Sequence, residues 1–368
     1  MKIKFNLRFI IVFLLVIFKY LKMQNFISNT ISNCILLATL FIVLIWLGSK
    51  GKIKNINTNY FLVLALMAVV QIVLLKDVDI LILLMLGILF TEDKNYIKNI
   101  IKYFLISLVI VFIATIILYQ CGILESAYLS RIIDGVRVQR NSLGFAHPNE
   151  TFCYFFMILL GFYYFSKNKK LFWFLALIAS YVLYKITLCR TGFLCIFVFL
   201  AIDVLYRSKI KINKYFFALG TVLTLLLGVF GANMNSPLNE ALSYRPYYAH
   251  ATMENGLIFN VLGNNLSKIQ TNTNFNNIDN VYLHIILSSG LVFYVYYFWM
   301  YWKSGEKLEV DRRLTKIFIM TLIYGCCESH LINPGLNFVL AIQVCTLLIK
   351  EKPQEEIAEK QAIELCQE

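Results

Sequence analysis

Long apolar runs, separated mostly by short polar connections, constrain the fold of this 368-residue chain more than any other feature. Each of about twelve runs is close to the length that a helix needs to cross a bilayer. The chain is 59% hydrophobic, whereas soluble domains are about half apolar. The sequence therefore predicts an all-α, polytopic integral membrane protein, with a single multi-span domain over residues 1–350. The predicted spans lie near residues 5–22, 29–48, 58–75, 78–91, 100–121, 145–166, 170–187, 191–206, 214–232, 281–302, 314–331 and 334–350.

The fourth run and the longer connections depart from a regular alternation. The run at 78–91 is short and tightly joined to the third, so it either crosses the membrane or forms a hairpin that does not. The charge distribution favours a crossing, because the hairpin would place the later lysine clusters outside. Two outer connections are long, at about 122–144 and about 233–280. Residues 351–368 form a short charged tail that we expect on the cytoplasmic side.

Basic residues distribute unequally between the two sides when the N-terminus is placed in the cytoplasm. About 24 of the 34 Lys and Arg then fall inside, mostly as lysine, and about 10 fall outside. This asymmetry explains the net charge of +13 without a nucleic-acid partner. Topology does not require arginine and histidine outside, so they indicate a site for a phosphate-bearing ligand, which guanidinium groups bind in a bidentate manner. The outer set is Arg131, Arg137, Arg140, Arg190 and Arg245, with His147, His250, His284 and His330 at or near the same face.

Two dense polar segments lie next to predicted spans on this outer face. The segment 140–150 leads into the sixth span and contains Arg140, His147 and Asn149. Such groups cost free energy at a membrane helix unless they are paired or hydrated, so the segment is either a polar interfacial loop or a site. The second segment is the turn that carries Arg190. Its arginine either contributes to the site or extends to lipid headgroups.

Tyr244 and Arg245 stand out in the long outer loop, where the ring can stack on sugars and the guanidinium can bind phosphate. An interfacial aromatic belt is the alternative for the tyrosine. Asp279 precedes the tenth span, followed by Asn280 and His284. Asp279 is a candidate base, and a helix N-cap is the other role open to an Asp or Asn there.

Glu328 lies in the connection between the last two predicted spans. It is either a buried partner of one of the arginines or part of a hydrated turn. Elsewhere, no phosphate-binding glycine loop, dinucleotide fingerprint, metalloprotease motif or serine-hydrolase elbow occurs. The nine cysteines have no zinc or disulfide spacing. We therefore expect no metal and no cofactor, with cationic side chains stabilising the charge on a leaving phosphate.

Taken together, these segments resemble the O-antigen ligase and polymerase family, and most of all the Wzy-type polymerases of bacterial capsule, O-antigen or exopolysaccharide assembly. The matching stretches are R-N-S-L-G-F-A-H-P-N at 140–149, C-R-T-G at 189–192, L-S-Y-R at 242–245, and D-N-V-Y-L at 279–283 with the glycine at 290. The resemblance covers about residues 100–345 and rests on the order, spacing and shared outer location of the motifs. Cys189 stands where serine is usual. Asp279 stands where ligases commonly carry a histidine, which favours a polymerase.

The resemblance implies a metal-independent membrane glycosyltransferase at the outer face of the bacterial cytoplasmic membrane. Its donor is a growing glycan on undecaprenyl diphosphate, and its acceptor is the sugar hydroxyl of one lipid-linked repeat unit. By this resemblance Arg190 and Arg245 hold the diphosphate, Arg140 assists them, and Asp279 is the base. The remaining substrate-site residues are His147, Asn149, Asn280, Tyr244, His284 and Glu328. The expected partners are the lipid-linked glycans, the lipid bilayer, and the flippase and chain-length regulator of the same pathway.

Three other functions remain open from the residues alone. A ligase that passes the glycan to another acceptor shares every motif. A lipid-glycan flippase or transporter would place charged residues deep within several spans, whereas here they crowd the outer ends. A purely structural membrane subunit leaves the outer arginines unexplained.

Overall fold

The computed structural model describes most of the chain, and the described part is mostly helical, as predicted. The predicted charged tail at 351–368 lies outside the described residues, and so does much of the predicted loop at 233–280. The described residues are 6–49, 51, 56–127, 129–133, 136–206, 215–242, 244–254, 260–263, 279–308 and 311–350.

Twelve helices of eleven residues or more occur in the described residues, one in or overlapping each predicted span. They are α1 (Leu7–Met23), α2 (Asn29–Ser49), α3 (Thr58–Leu75), α4 (Asp79–Phe90), α5 (Tyr96–Gln120), α6 (Pro148–Phe165), α7 (Lys169–Thr187), α8 (Arg190–Leu205), α9 (Phe216–Phe230), α13 (Leu291–Lys307), α14 (Arg312–Gly325) and α15 (Phe338–Leu348). Three shorter helices lie between α9 and α13, namely α10 (Pro237–Ala241), α11 (Arg245–Glu254) and α12 (Val281–His284).

Four of these helices are long and apolar enough to cross a membrane. Their candidate spans are Thr30–Ser49, Thr58–Leu75, Tyr96–Gln120 and Lys169–Thr187. Large apolar side chains such as Leu66 and Val73 on α3, and Phe174 on α7, are exposed, as expected where a helix faces lipid. The chain is therefore compatible with a helical membrane protein, and the number of twelve crossings stays a prediction.

Asparagine side chains begin several of the helices. Asn6, Asn57, Asn168 and Asn337 each accept a hydrogen bond from a backbone N–H in the first turn of α1, α3, α7 and α15. This capping satisfies donors that have no partner within the helix. The amides between the apolar runs therefore mark where these four helices begin.

The helix α15 lies at the centre of the bundle. All of its residues are buried, and so are the residues of α4 from Ile82 to Phe90. α15 packs against both α4 and α5, and the hydroxyls of Tyr96 and Thr346 are 2.9 Å apart. Its last turn accepts a hydrogen bond at Leu348 O from Asn57 N, at 2.8 Å. Two helices that are apolar all round thus meet inside the protein.

A fully paired polar cluster joins four helices at the end of the bundle where α8 ends. Asp203 accepts hydrogen bonds from the hydroxyl of Tyr163, from Trp173 Nε1 at 2.7 Å and from Lys316 Nζ at 2.8 Å. Each partner comes from a different helix. A carboxylate this well satisfied is best explained as a structural link.

Three backbone features differ from the predicted layout. The first long connection contains a two-stranded antiparallel hairpin of β1 (Leu129–Ile133) and β2 (Val136–Arg140). The predicted tenth span, 281–302, is not one helix: α12 passes into a π-helical turn at Ile285–Ser289, and Gly290 (φ +89°) separates that turn from α13. The eleventh predicted span, 314–331, is not helical throughout: α14 ends at Gly325, and a 3₁₀ turn follows at Ser329–Ile332.

Candidate functional site

Arg245, the first residue of α11, lies at the centre of a buried polar cluster. Its Nε donates to Cys327 O at 2.7 Å, and one terminal nitrogen donates to Thr191 Oγ1 at 2.8 Å. The other terminal nitrogen donates to Glu328 Oε1 at 2.8 Å and lies 3.4 Å from Asp279 Oδ2. We call Arg245, Thr191, Asp279 and Glu328 the arginine cluster. One guanidinium thus joins the start of α8, the residue pair before α12 and the chain that follows α14.

The two carboxylates of the cluster differ in exposure. The Glu328 side chain is 0% exposed, whereas that of Asp279 is 29% exposed. Burial raises the pKa of Glu328 well above its usual value, although Arg245 opposes the shift. Glu328 Oε2 has no hydrogen-bond partner among the described residues. Of the two carboxyl groups that Arg245 contacts, Glu328 is thus the enclosed one and Asp279 the accessible one.

The surroundings keep Arg245 charged. Burial works to lower the pKa of its guanidinium, but Glu328 and Asp279 outweigh burial and raise that pKa. Of the alternatives for Glu328, the structure shows the buried partner of an arginine. Four N–H groups of Arg245 are directed at protein acceptors, which leaves one of its five. Bidentate binding of a diphosphate by Arg245 therefore requires that the ligand displace one of these acceptors.

Arg140 forms a second unit with His147 and Asn149. Arg140 ends β2 and donates from Nε to Thr187 O at 2.9 Å and from a terminal nitrogen to Asn149 Oδ1 at 2.7 Å. His147 is the N-cap of α6, where its Nδ1 accepts from Asn149 N at 3.0 Å. Burial, and then the charge of Arg140, lower the pKa of His147 to about 4. His147 is therefore a neutral acceptor at physiological pH.

The Arg140 unit and the arginine cluster are neighbours. Burial lowers the pKa of Arg140. The nearby carboxyl groups of Glu328 and Asp279 oppose that shift, and the charge of Arg245 adds to it. Asp279 and Arg245 also shift the pKa of His147, upward and downward respectively. The structure thus brings together residues that lie far apart in the sequence, from the first, third and fourth motifs.

Arg190 differs from Arg245 in how its side chain is used. It is the first residue of α8 and is partly exposed. Within the part of the chain that the structure describes, its guanidinium has no protein partner. Arg190 is the arginine of the predicted pair that has donors available for an anion in this conformation.

The remaining predicted residues have other surroundings. Asn280 is the N-cap of α12, and its side-chain nitrogen donates to Thr224 Oγ1 at 3.0 Å and to Cys326 O at 2.8 Å. Its alternative role as a helix cap is therefore confirmed. Tyr244 precedes α11 in a left-handed conformation, with φ +62°, and its N–H donates to Asn239 O at 2.6 Å. No described hydrogen bond or ion pair links His284 to the arginine cluster.

His284 lines a polar cavity of about 1000 Å³ beside the cluster. The cavity lies between the last turns of α1 and α3, the start of α4, the π-helical turn and the 3₁₀ turn. We call it the polar cavity, and its charged or titratable lining residues are Lys19, Lys22, Asp77, Asp79, His284 and His330. Ser329 and His330, which follow Glu328 in the sequence, also line this cavity.

Sequence reasoning missed Lys19, Asp77 and Asp79 as candidates for this site. Lys19 is 2% exposed and forms an ion pair with Asp79. Both residues lie within predicted spans, where an ionisable side chain is by itself a signal of function. That signal was present in the sequence and points to the cavity. Among the described residues, no group of three or more His, Cys, Asp or Glu is placed to hold a metal.

The fold and the site together define a mostly helical protein with helices long enough to span a membrane and a buried arginine–carboxylate cluster where several helices end. Comparison of the chain with protein-family models, with curated proteins and with solved structures finds no significant match.

Proposed function

We propose that this protein is a polysaccharide polymerase that joins lipid-linked oligosaccharide repeat units. The observation that carries the proposal is the arginine cluster, in which Arg245 contacts Thr191, Asp279 and Glu328. These residues come from separate motifs, and the Arg140 unit lies beside them. A diphosphate leaving group and a sugar hydroxyl need cationic donors and a base close together, and this arrangement offers both.

In the proposed reaction, a sugar hydroxyl of the acceptor attacks the anomeric carbon of the donor glycan. A new glycosidic C–O bond forms, and the bond from that carbon to the diphosphate oxygen breaks. The hydroxyl proton passes to Asp279, whose carboxylate is partly exposed, and the lipid diphosphate leaves with the bonding electron pair. Arg190 is available to bind the departing diphosphate, and Arg140 is nearby to assist it.

Arg245 has a more specific role in this scheme than diphosphate binding alone. It holds Asp279 Oδ2 at 3.4 Å and so orients the base. The contact with Glu328 is shorter, at 2.8 Å, so the contact with Asp279 is the easier one to exchange for a phosphate oxygen. Arg245 can therefore both position the base and turn toward the leaving group.

The setting of the proposed reaction follows the charge distribution. Placing the lysine-rich side in the cytoplasm puts the arginine cluster at the outer face of a bacterial cytoplasmic membrane. The substrates are then undecaprenyl-diphosphate-linked glycans within the bilayer. A flippase that delivers them and a chain-length regulator are the partners that such a reaction requires.

The test is complementation of a strain that lacks the protein, with lipid-linked glycan separated on a ladder gel. We expect Arg190→Ala and Asp279→Asn, each expressed at the wild-type level, to reduce the ladder to single repeat units. Lys185→Ala is the matched control, because Lys185 is an exposed cation one turn before this site, and it should give a normal ladder.

The other outcomes separate the alternatives. A normal ladder from both Arg190→Ala and Asp279→Asn would contradict the site. Loss of single units from the outer face would indicate a flippase instead. Polymer that forms normally but is not transferred to a final acceptor would indicate a ligase.

A further inference from the structure

An apolar groove lies next to the polar cavity on the surface of the bundle. The groove has a volume of about 500 Å³ and lies between α3 and α13. Its lining is entirely apolar or aromatic, with Val63, Met67, Val261, Leu291, Val295 and Trp299 among the residues. The groove and the cavity therefore present opposite chemistry on adjoining surfaces.

One face of α3 lines both the groove and the cavity. Val63 and Met67 line the groove, and Gln71, Leu74 and Leu75 line the cavity. Positions three or four apart share a helix face, so these residues form one stripe. The thirteen residues from Val63 to Leu75 extend over about 18 Å. That length covers more than half of a hydrocarbon core about 30 Å thick.

The segment 260–263 also borders both spaces. Val261 lines the groove, and Leu262 and Gly263 line the cavity. The segment is fixed to the start of α13, because Leu291 N donates to Asn260 O at 3.1 Å. A Cβ on Gly263 would lie 2.4 Å from Ser288 O, so the backbone there packs directly on the π-helical turn. The groove and the cavity thus share this segment as a border, and we call the two together the cleft between α3 and α13.

The groove faces lipid. α3 is one of the candidate membrane spans, and Val63 and Val295 are 40% and 56% exposed. The cavity, in contrast, has acids, histidines and hydroxyls in its lining, and Lys19 is neutralised by Asp79. Such a mixture of donors and acceptors suits a ligand rich in hydroxyl groups.

We propose that the cleft between α3 and α13 binds a lipid-linked oligosaccharide, with its long apolar chain in the groove and its glycan in the polar cavity. The inference rests on the proposed function for one point, that the bound molecule is the acceptor. The free end of its glycan then approaches Asp279. The reason is that Glu328 belongs to the arginine cluster, and the residues that follow it, Ser329 and His330, line the cavity. The donor diphosphate occupies the opposite side, at Arg190.

The test measures binding of two probes to the full-length protein in nanodiscs by native mass spectrometry. One probe is undecaprenyl diphosphate that carries a disaccharide, and the other is undecaprenyl diphosphate without sugar. We expect Met67→Trp and Val63→Trp to weaken binding of the disaccharide probe about tenfold, since the new ring fills the groove. Leu66→Trp is the matched control, because Leu66 is 63% exposed, lies outside the groove and should leave binding unchanged.

A further variant tests the cavity separately. Ser289→Phe fills the cavity and should weaken binding of the disaccharide probe while leaving the sugar-free probe unaffected. The proposal is overturned if Met67→Trp and Leu66→Trp bind alike, or if Ser289→Phe affects both probes equally. These results are independent of the ladder assay. Loss of binding in Met67→Trp with no polymer from the wild type would refute the polymerase and keep the cleft.

Discussion

Arg245 and Glu328 are two buried ionisable side chains that depend on each other. Their side chains are 11% and 0% exposed, and their closest atoms are 2.8 Å apart. Removing one partner of such a pair costs about 3–5 kcal/mol, because the other is left buried without compensation. A substitution of Arg245 would therefore affect folding as well as the proposed reaction, and the two effects must be separated.

A double-mutant comparison separates them. We expect Arg245→Met to destabilise the protein by about 3 kcal/mol and Arg245→Met/Glu328→Gln to recover part of that loss, since no buried carboxyl then lacks its partner. Thermal unfolding of the purified protein in detergent measures both. The ladder should stay absent in the double variant if Arg245 acts in the reaction. Equal stability of Arg245→Met and the wild type would show that the pair contributes nothing to folding.

His147 makes stability depend on pH. Its pKa is lowered from 6.5 to about 4, so the folded state favours the neutral ring. The stabilisation is complete above about pH 6.5 and is lost as the pH falls toward 4, because the unfolded chain then binds the proton more readily. The charged and titratable groups that face it are Arg140, Asp279, His330 and Arg245.

His147→Asn tests this dependence, because asparagine also caps helices but does not titrate in this range. The unfolding temperature of the wild type should drop more between pH 7 and pH 4.5 than that of the variant. Parallel curves would show that other groups cause the loss. His330, whose pKa is also lowered by burial, is the next to test.

At the scale of the element, the packing of α8 against α6 requires a residue without a side chain at position 192, which is glycine. A Cβ at Gly192 would lie 2.3 Å from the ring of Phe152, and that ring is fully buried. Because the ring cannot move aside, Gly192→Ala should push the start of α8 away and cost about 1–3 kcal/mol. Arg190 and Thr191 would shift with it, so the ladder should shorten as well.

Gly48→Ala is the matched control for this prediction. A Cβ at Gly48, in α2, meets nothing within 4 Å, and alanine favours a helix by about 1 kcal/mol over glycine. Unfolding temperatures in detergent should therefore rise slightly for Gly48→Ala and fall for Gly192→Ala. A fall of the same size in both would show that the contact with Phe152 has no special role.

The helices were predictable from the sequence because their signals are local. Apolar runs of the right length, with asparagine at positions such as Asn57 and Asn168, mark both the existence and the start of a helix. The break near Gly290 was not predicted, since the apolar pattern continues from Val281 into α13. The unbroken helix predicted there is wrong, because the chain turns at Gly290, with φ +89°, where the segment 260–263 packs so closely that a Cβ would lie 2.2 Å from Gly263 N.

The candidate site was predictable in its parts but not in its connections. Motif positions identified Arg245, Asp279 and Glu328, yet their mutual contacts depend on how three distant segments fold together. The hydrogen bonds that Asn280 donates to Thr224 and Cys326 likewise join segments that lie far apart in the sequence. Pairing between residues far apart in sequence leaves no local pattern that a single chain can show.

At the scale of the whole molecule, the predicted orientation has a direct test. Cys121 follows α5 and is exposed, and Lys303 lies near the other end of the bundle with 39% of its side chain exposed. In a Cys34→Ser/Cys366→Ser background, a membrane-impermeant maleimide should label Cys121 in intact spheroplasts. A cysteine introduced by Lys303→Cys should react only after permeabilisation. Labelling of both from the same side would refute the predicted topology.

The enclosed position of α15 has a consequence for how the protein is made. The ribosome synthesises α15 after every other described helix, yet α15 packs against faces of both α4 and α5. Those faces remain exposed to lipid, or bound to an insertase, until α15 is inserted. A premature stop codon just before residue 338 should therefore yield a chain that membrane proteases degrade, rather than a shortened protein with partial activity.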